Sequence, residues 1–483
     1  MSEKSLAEET QTQESGESDL GKGEEFGASL EIYSQENVRE NRRTSIDRIS
    51  ALPDCLLVHI ISFLGLKKAA ATSILGKRWQ FLWTELRNLG FEFYGWGESK
   101  EAKNAIDFVA WVNGIISTHR GNYLEKMTVD FKFEDCFAQD VDNWLQFALK
   151  NKVKELRWNM GYNEDCYILR EMIYSNSSLT SLSLNHCILV PERTIQWSSL
   201  TKLEISRVNL PQPLVEKILS GCPVLTSLDL SECWGFTCLE INSQNLCKLM
   251  VTDPLIENNG ASLHISAPYI KYLSLSLDPI GRKIKIRDIS SLVTAHFNFI
   301  DNSWDFILPE DMLRSTKEFF EQIYNVKELD LGPEPLKALA ALVLNGWQLP
   351  KYKLRCLNIG LLCDAGQVIP GILNVLESSP DIETLVIDSY EPEDLDSNWA
   401  PPAKDDLDCD LLHLKTIKMI KLVDPELDGE PMLTLARILL KRTPVLEEMD
   451  IYVKIEDADV FVKIGQTLLS YPRSSPKAVI DLY

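Results

Sequence analysis

The chain has 483 residues, 45% of them hydrophobic and 25% charged, with a formal net charge of −22. Such proportions belong to a globular protein with room for two or more folding units. The acidity excludes the broad basic faces that non-specific nucleic-acid binding or docking on anionic lipid requires.

The eleven cysteines contain no CxxC pair and the six histidines stand apart, so spacing offers no zinc site. The cysteines read as reduced thiols, which places the chain in the nucleus or cytoplasm. No apolar run approaches the roughly eighteen residues of a membrane span.

Residues 1–43 combine Glu, Ser, Gly and Gln with few apolar side chains and are predicted to be a disordered acidic tail. Residues 44–90 change character abruptly. Leu56, Ile60, Phe63 and Leu64 recur at helical spacing behind Pro53, which suits a first helical turn. His59, on the same stretch, reads as a partly exposed helix residue. Ala69 to Leu75 reads as a second short helix. Gly76 interrupts it, and Lys77 to Leu86 resumes helical spacing through Trp79 and Trp83. Three helices in about forty residues are too few to bury this much apolar surface without a partner.

A repeat governs the remainder, with the solenoid proper expected over residues 91–387. The pattern Leu-x-x-Leu-x-Leu, with related apolar residues allowed, appears as LTSLSL (from Leu179), LTKLEI (Leu200), LTSLDL (Leu225), LCKLMV (Leu246) and IKYLSL (Ile270). It continues as VKELDL (Val326), LRCLNI (Leu354), IETLVI (Ile382), LKTIKM (Leu414) and LEEMDI (Leu446). Weaker copies precede these at LEKMTV (Leu124) and VKELRW (Val153). In Leu-x-Leu both apolar side chains fall on one face of a strand and the intervening residue falls on the other. No such unit buries its leucines alone, so stacked neighbours must share one core. The fold class is therefore α/β: a small N-terminal helical unit followed by a solenoid with parallel strands on the concave face and helices or loops on the convex face. Residues 388–410 form an acidic loop, and 411–483 carry the last repeats and a cap.

Both halves resemble a known family. Leu52-Pro53, Leu56-Leu57, Ile60-Ile61-Ser62-Phe63-Leu64 and SILGKRWQFLW resemble an F-box, in the form common among plant F-box proteins. Leu407 to Lys454 is similar to the FBD-type region that accompanies F-box and leucine-rich repeats in plants. The resemblance implies docking on the Skp-type adaptor of a cullin-based (SCF) ubiquitin ligase through Leu52, Pro53, Leu56, Leu57, Ile60, Leu64, Ile74 and Trp79. It also implies a solenoid that binds an unknown protein substrate for ubiquitination. Two positions depart from the family pattern: Gly65 stands where a proline is usual and Lys68 where an aspartate caps helix two. Losing such a cap costs on the order of 1 kcal/mol of local helix stability.

The concave face offers candidate substrate-binding residues: Arg157, Lys202, Glu204, Asp229, Tyr272, Asp330 and Tyr452, with Trp234 just past a strand end. The bland reading of each is a solvated or locally paired side chain. Asp229, Asp330 and Asp450 sit between the apolar pairs of separated repeats, a spacing that suits binding better than paired acid–base catalysis. GKGEEFG lacks the spacing of a phosphate loop, and no nucleophile–base arrangement emerges. We therefore expect a non-catalytic protein without cofactor or metal. The rival readings are a leucine-rich-repeat scaffold or inhibitor outside any ligase, and an enzyme hidden in the solenoid.

Overall fold

The structure, a computed structural model, describes residues 48–93, 101–161, 165–254, 262–278, 283–300, 310–361, 365–389, 407–422, 429–453 and 458–483. The acidic tail, 1–43, and most of the acidic loop, 390–406, lie outside the described residues.

Alternation decides the architecture. Leu182 and Leu184, Leu203 and Ile205, Leu228 and Leu230, Leu249 and Val251, and Leu273 and Leu275 are all buried, while the residues between them face the other way. Each copy of the repeat named above becomes a strand, and all join a single fifteen-stranded sheet. Its strands follow one another in chain order: Asn88–Glu92, Lys126–Asp130, Glu155–Asn159, Ser181–Asn185, Lys202–Ser206, Ser227–Ser231, Lys248–Thr252 and Tyr272–Leu277. Thr294–Phe299, Glu328–Leu331, Cys356–Leu361, Thr384–Ser389, Thr416–Leu422, Glu448–Val453 and Val479–Leu482 complete it. All neighbours pair parallel, for example Leu203 with Leu228 and Leu228 with Leu249. Threonines at the strand entrances add rungs: the Thr201 and Thr226 hydroxyls each donate 2.9 Å to the carbonyl of the threonine one repeat earlier.

Returning segments close the core from one side only. Trp144 and Leu145 of helix Ala138–Lys150, Ile218 of Gln212–Gly221, Phe319 of Glu310–Gln322 and Leu336 of Pro333–Leu344 join the strand leucines in one continuous cluster. Ile372 of Ala365–Glu377, Leu439 of Gly429–Arg442 and Ile464 of Ala458–Ser470 extend it. In mid-chain, three short parallel strands (Cys238–Glu240, Ser262–Ser266 and Lys283–Ile286) replace helices in that layer. The opposite face of the large sheet stays open. Its middle row runs in register from Arg157 through Ser183, Glu204, Asp229, Met250, Ser274, His296 and Asp330 to Asn358. Val386, Lys418, Asp450 and Asp481 finish the row.

The N-terminal unit is helix α1 (Asp54–Ser62), helix α2 (Leu66–Ala71) and two 3-10 segments, Thr72–Leu75 and Trp79–Glu85. The second predicted helix thus stays α-helical only to Ala71, and the third is wound as 3-10 throughout. Three residues per turn align Trp79 with Leu82, and both are buried. Gly65 is the N-cap of α2 and offers no side-chain hydrogen bond, whereas Lys68, expected at the cap, is the third residue of the helix.

This unit leans on the start of the sheet. Arg120 N–H donates to the Thr84 carbonyl at 2.9 Å, and the Arg120 guanidinium lies 4.5 Å from the Phe81 ring centre. Lys67 sits 5.5 Å over the Trp111 ring of helix Glu101–Thr118. Because the strand leucines form one shared core, a central truncation should be felt throughout. Leu203→Ala should lower stability by about 2–5 kcal/mol in chemical denaturation, whereas Ser274→Ala on the open face should change it by less than about 0.5 kcal/mol.

Candidate interaction surfaces

The helical unit buries one set of its apolar side chains and exposes another. Leu57, Ile61, Leu66, Ala69, Trp79 and Leu82 form its interior. Outside stand Leu56 and Ile60 on one stripe of α1, Phe63 and Leu64 just past its end, and Ile74 and Leu75. Phe63 is 77% exposed and Ile74 87%. Leu57 and Trp79, which the resemblance assigns to the docking surface, are core residues of the unit. Helical spacing could not separate them, because α1 is apolar nearly all round. Phe63, which helical spacing groups with Leu56 and Ile60, is exposed with them, and so is Leu75, which spacing alone does not single out.

Leu52 is half-buried and Pro53 exposed, in a turn fastened from the far end of the unit. The Arg78 Nε and Nη2 donate to Asp54 Oδ1 at 2.9 and 2.7 Å, and the same guanidinium reaches the Ser50 and Leu52 carbonyls. Trp79 Nε1 donates to Ser50 Oγ at 2.8 Å. The Lys-Arg-Trp run therefore acts partly by geometry: arginine and tryptophan fix the Leu-Pro turn from which α1 starts.

On the open face the candidate residues form separate groups. Arg157, Lys202 and Glu204 meet, with Lys202 Nζ 2.5 Å and Arg157 Nη2 3.9 Å from the Glu204 carboxylate. Asp229 lies beside Glu204 in register and accepts a 2.6 Å hydrogen bond from Ser231 Oγ. Tyr272, two strands beyond Asp229, lies under Lys248 Nζ at 4.7 Å. Asp330 pairs with His296 Nδ1 at 3.2 Å. Tyr452 stacks on Tyr483 at the last strand, far from the others. Trp234 is not on this face. It follows the Ser227–Ser231 strand and bridges back toward Asn209, its carbonyl accepting from Leu210 N–H at 2.7 Å.

Among the described residues, no group of three or more His, Cys, Asp or Glu side chains is placed to hold a metal ion. No described helix is long and apolar enough to cross a membrane.

Comparison with known proteins bears on this architecture. A family model described as "At1g61320/AtMIF1, LRR domain" matches residues 115–388. The F-box/LRR-repeat protein At3g03360 of Arabidopsis thaliana is 30% identical over 363 residues, covering 71% of this chain and 70% of its own. From the same plant, F-box protein At5g03100 is 29% identical over 317 residues (64% of this chain, 96% of its own). F-box/LRR-repeat protein At5g02910 is 27% identical over 345 residues (71% and 72%). The chain belongs to the plant F-box/leucine-rich-repeat family.

In this F-box/leucine-rich-repeat chain the matched region ends at residue 388, short of the segment likened to an FBD region. There the structure adds the strands Thr416–Leu422, Glu448–Val453 and Val479–Leu482 to the same sheet.

Charge on the repeat face is unevenly compensated. Burial raises the Glu204 pKa, but the hydrogen bond and charge of Lys202, with Ser183 and Arg157, outweigh it and hold the carboxyl below its ordinary value. Asp229 goes the other way. Burial pushes it up, the neighbouring Glu204 adds to the rise, and the Ser231 hydrogen bond offsets only part. An acid whose folded pKa is raised costs stability once pH climbs from its unfolded value through the folded one. Asp229→Asn should remove that slope: the variant should match the wild type at acid pH and exceed its melting temperature at neutral pH. Parallel thermal melts across pH would check this.

Proposed function

We propose that this protein is the substrate-receptor subunit of an SCF-type ubiquitin ligase. The helical unit docks on the Skp-type adaptor, which links it to a cullin, and the repeat sheet holds a target protein on its open face. The observation that carries this reading is the split in the helical unit. Its interior is closed by Leu57, Trp79 and Leu82, yet Leu56, Ile60, Phe63, Leu64, Ile74 and Leu75 remain in solvent. Burying each of these in a partner groove contributes about 1.5–3 kcal/mol before the costs of association.

Lys67, Lys68 and Lys77, all exposed around this apolar surface, suit an acidic partner. The contribution to ubiquitin transfer is proximity, with the thioester chemistry on other subunits. The complex works in the nucleus or cytoplasm, where thiols such as Cys55 and Cys136 stay reduced.

Because Trp79 is a core residue, the decisive variant uses exposed positions only. Ile60→Asp combined with Ile74→Asp should abolish co-purification with a Skp-type adaptor while leaving the melting temperature within a few degrees of the wild type. Undiminished co-purification by a folded double variant would refute the proposal.

A further inference from the structure

The last two strands place like charges side by side. Asp450 and Asp481 are partners in register on Glu448–Val453 and Val479–Leu482, and Glu448 precedes them on the same face. Like charges directly opposite one another on paired strands destabilise a sheet. Among the described residues one cation answers them, in the adjoining strand: Lys418 Nζ lies 3.2 Å from Asp450 Oδ2.

That single pair leaves an imbalance inside the protein. Asp450 is 3% exposed, and its other carboxylate oxygen, Oδ1, is buried without a hydrogen-bond partner. A buried, half-satisfied carboxylate is costly in the absence of a second donor. Beside it Tyr452 and Tyr483 stack with ring centres 4.8 Å apart and planes 14° from parallel, both rings partly in solvent. The local field is negative enough that the Asp481 charge, with burial, Asp450, Tyr452 and Glu448, raises the Tyr483 phenol above its ordinary pKa.

Two carboxylates sharing a single lysine, one with an oxygen left unpartnered, next to a pair of exposed aromatic rings form the environment that binds a further ammonium or guanidinium group, by charge and by cation–π attraction. We propose that the C-terminal end of the open face is a binding site for a lysine or arginine side chain of the target protein, held between Asp450 and Asp481 and against the Tyr452–Tyr483 pair. This rests on the reading of the open face as the cargo-holding surface and supplies its chemical class: a basic segment. The N-terminal half of the face does not offer the same site, since Lys126, Arg157, Lys202 and Lys248 stand among its acids.

The test uses the full chain and two fluorescein-labelled Gly-Ser peptides, one with a single arginine and one with glutamine in its place, followed by fluorescence anisotropy. The arginine peptide should bind in a salt-sensitive manner and the glutamine peptide should not. Asp481→Asn and Tyr452→Leu should each weaken the arginine peptide about ten-fold. Glu155→Gln, which removes the same charge elsewhere on the open face, should leave binding unchanged. Asp481→Asn should also melt no lower than the wild type, since it relieves the like-charge contact, so its weaker binding would not reflect misfolding. No binding of the arginine peptide, equal binding of the two peptides, or an equal loss in Glu155→Gln would overturn the proposal. The assay contains no adaptor, so its failure is separate from failure of adaptor docking.

Discussion

A strand reading Leu-x-Leu cannot bury its own leucines. Everything else in this molecule follows from how that debt of apolar surface is settled. Along the sheet it is settled by repetition: each strand covers its neighbour's flank, and the returning helices and short strands cover the inward face. The residues between the leucines are then left on the other side with no packing duty. A row of side chains running from Arg157 to Asp481 becomes a surface whose composition is free to be set by what it binds.

The helical unit meets the same constraint and answers it differently. It is too short to hide its apolar residues by repetition, so it closes a small interior around Leu57 and Trp79 and leans on the first helix of the repeat region. What is left over stays in solvent. Arg78 then takes on a role that its charge alone would not suggest, tying the Leu52-Pro53 turn to Asp54 so that the exposed stripe of α1 is held in one orientation. Two surfaces with different chemistry result. One is apolar with a basic rim and the other polar with an acidic far end.

Much of this was legible in the sequence, because the strand period is short and strict. Twelve copies of the repeat could be read, and all twelve are strands of the sheet. The three further strands were hidden by side-chain identity. Asn88–Glu92 and Thr294–Phe299 use Phe91, Ala295 and Phe297 where the pattern expects leucine, and Val479–Leu482 offers only Ile480 and Leu482. The proposed docking residues were less legible. Helical spacing says which residues share a face, but when α1 is apolar on several faces it does not say which one meets the body of the protein. The family resemblance assigns Leu57 and Trp79 to the docking surface without saying which side of the unit they occupy, and the structure places both in its interior. Pairings across the open face, such as Asp450 with Asp481, depend on register between distant segments and had no sequence signal at all.

The central claim is that the outer face of α1 is solvent-exposed in the free chain and covered by a Skp-type adaptor. Cys55 lies exposed on that helix and provides a native reporter, with the exposed Cys136 and Cys409 as internal references. Maleimide alkylation of each, timed by mass spectrometry with and without saturating adaptor, tests it most directly. The account requires Cys55 to react readily in the free chain and to be protected by the adaptor while Cys136 and Cys409 are unaffected. A Cys55 rate that does not change when adaptor is added would contradict it.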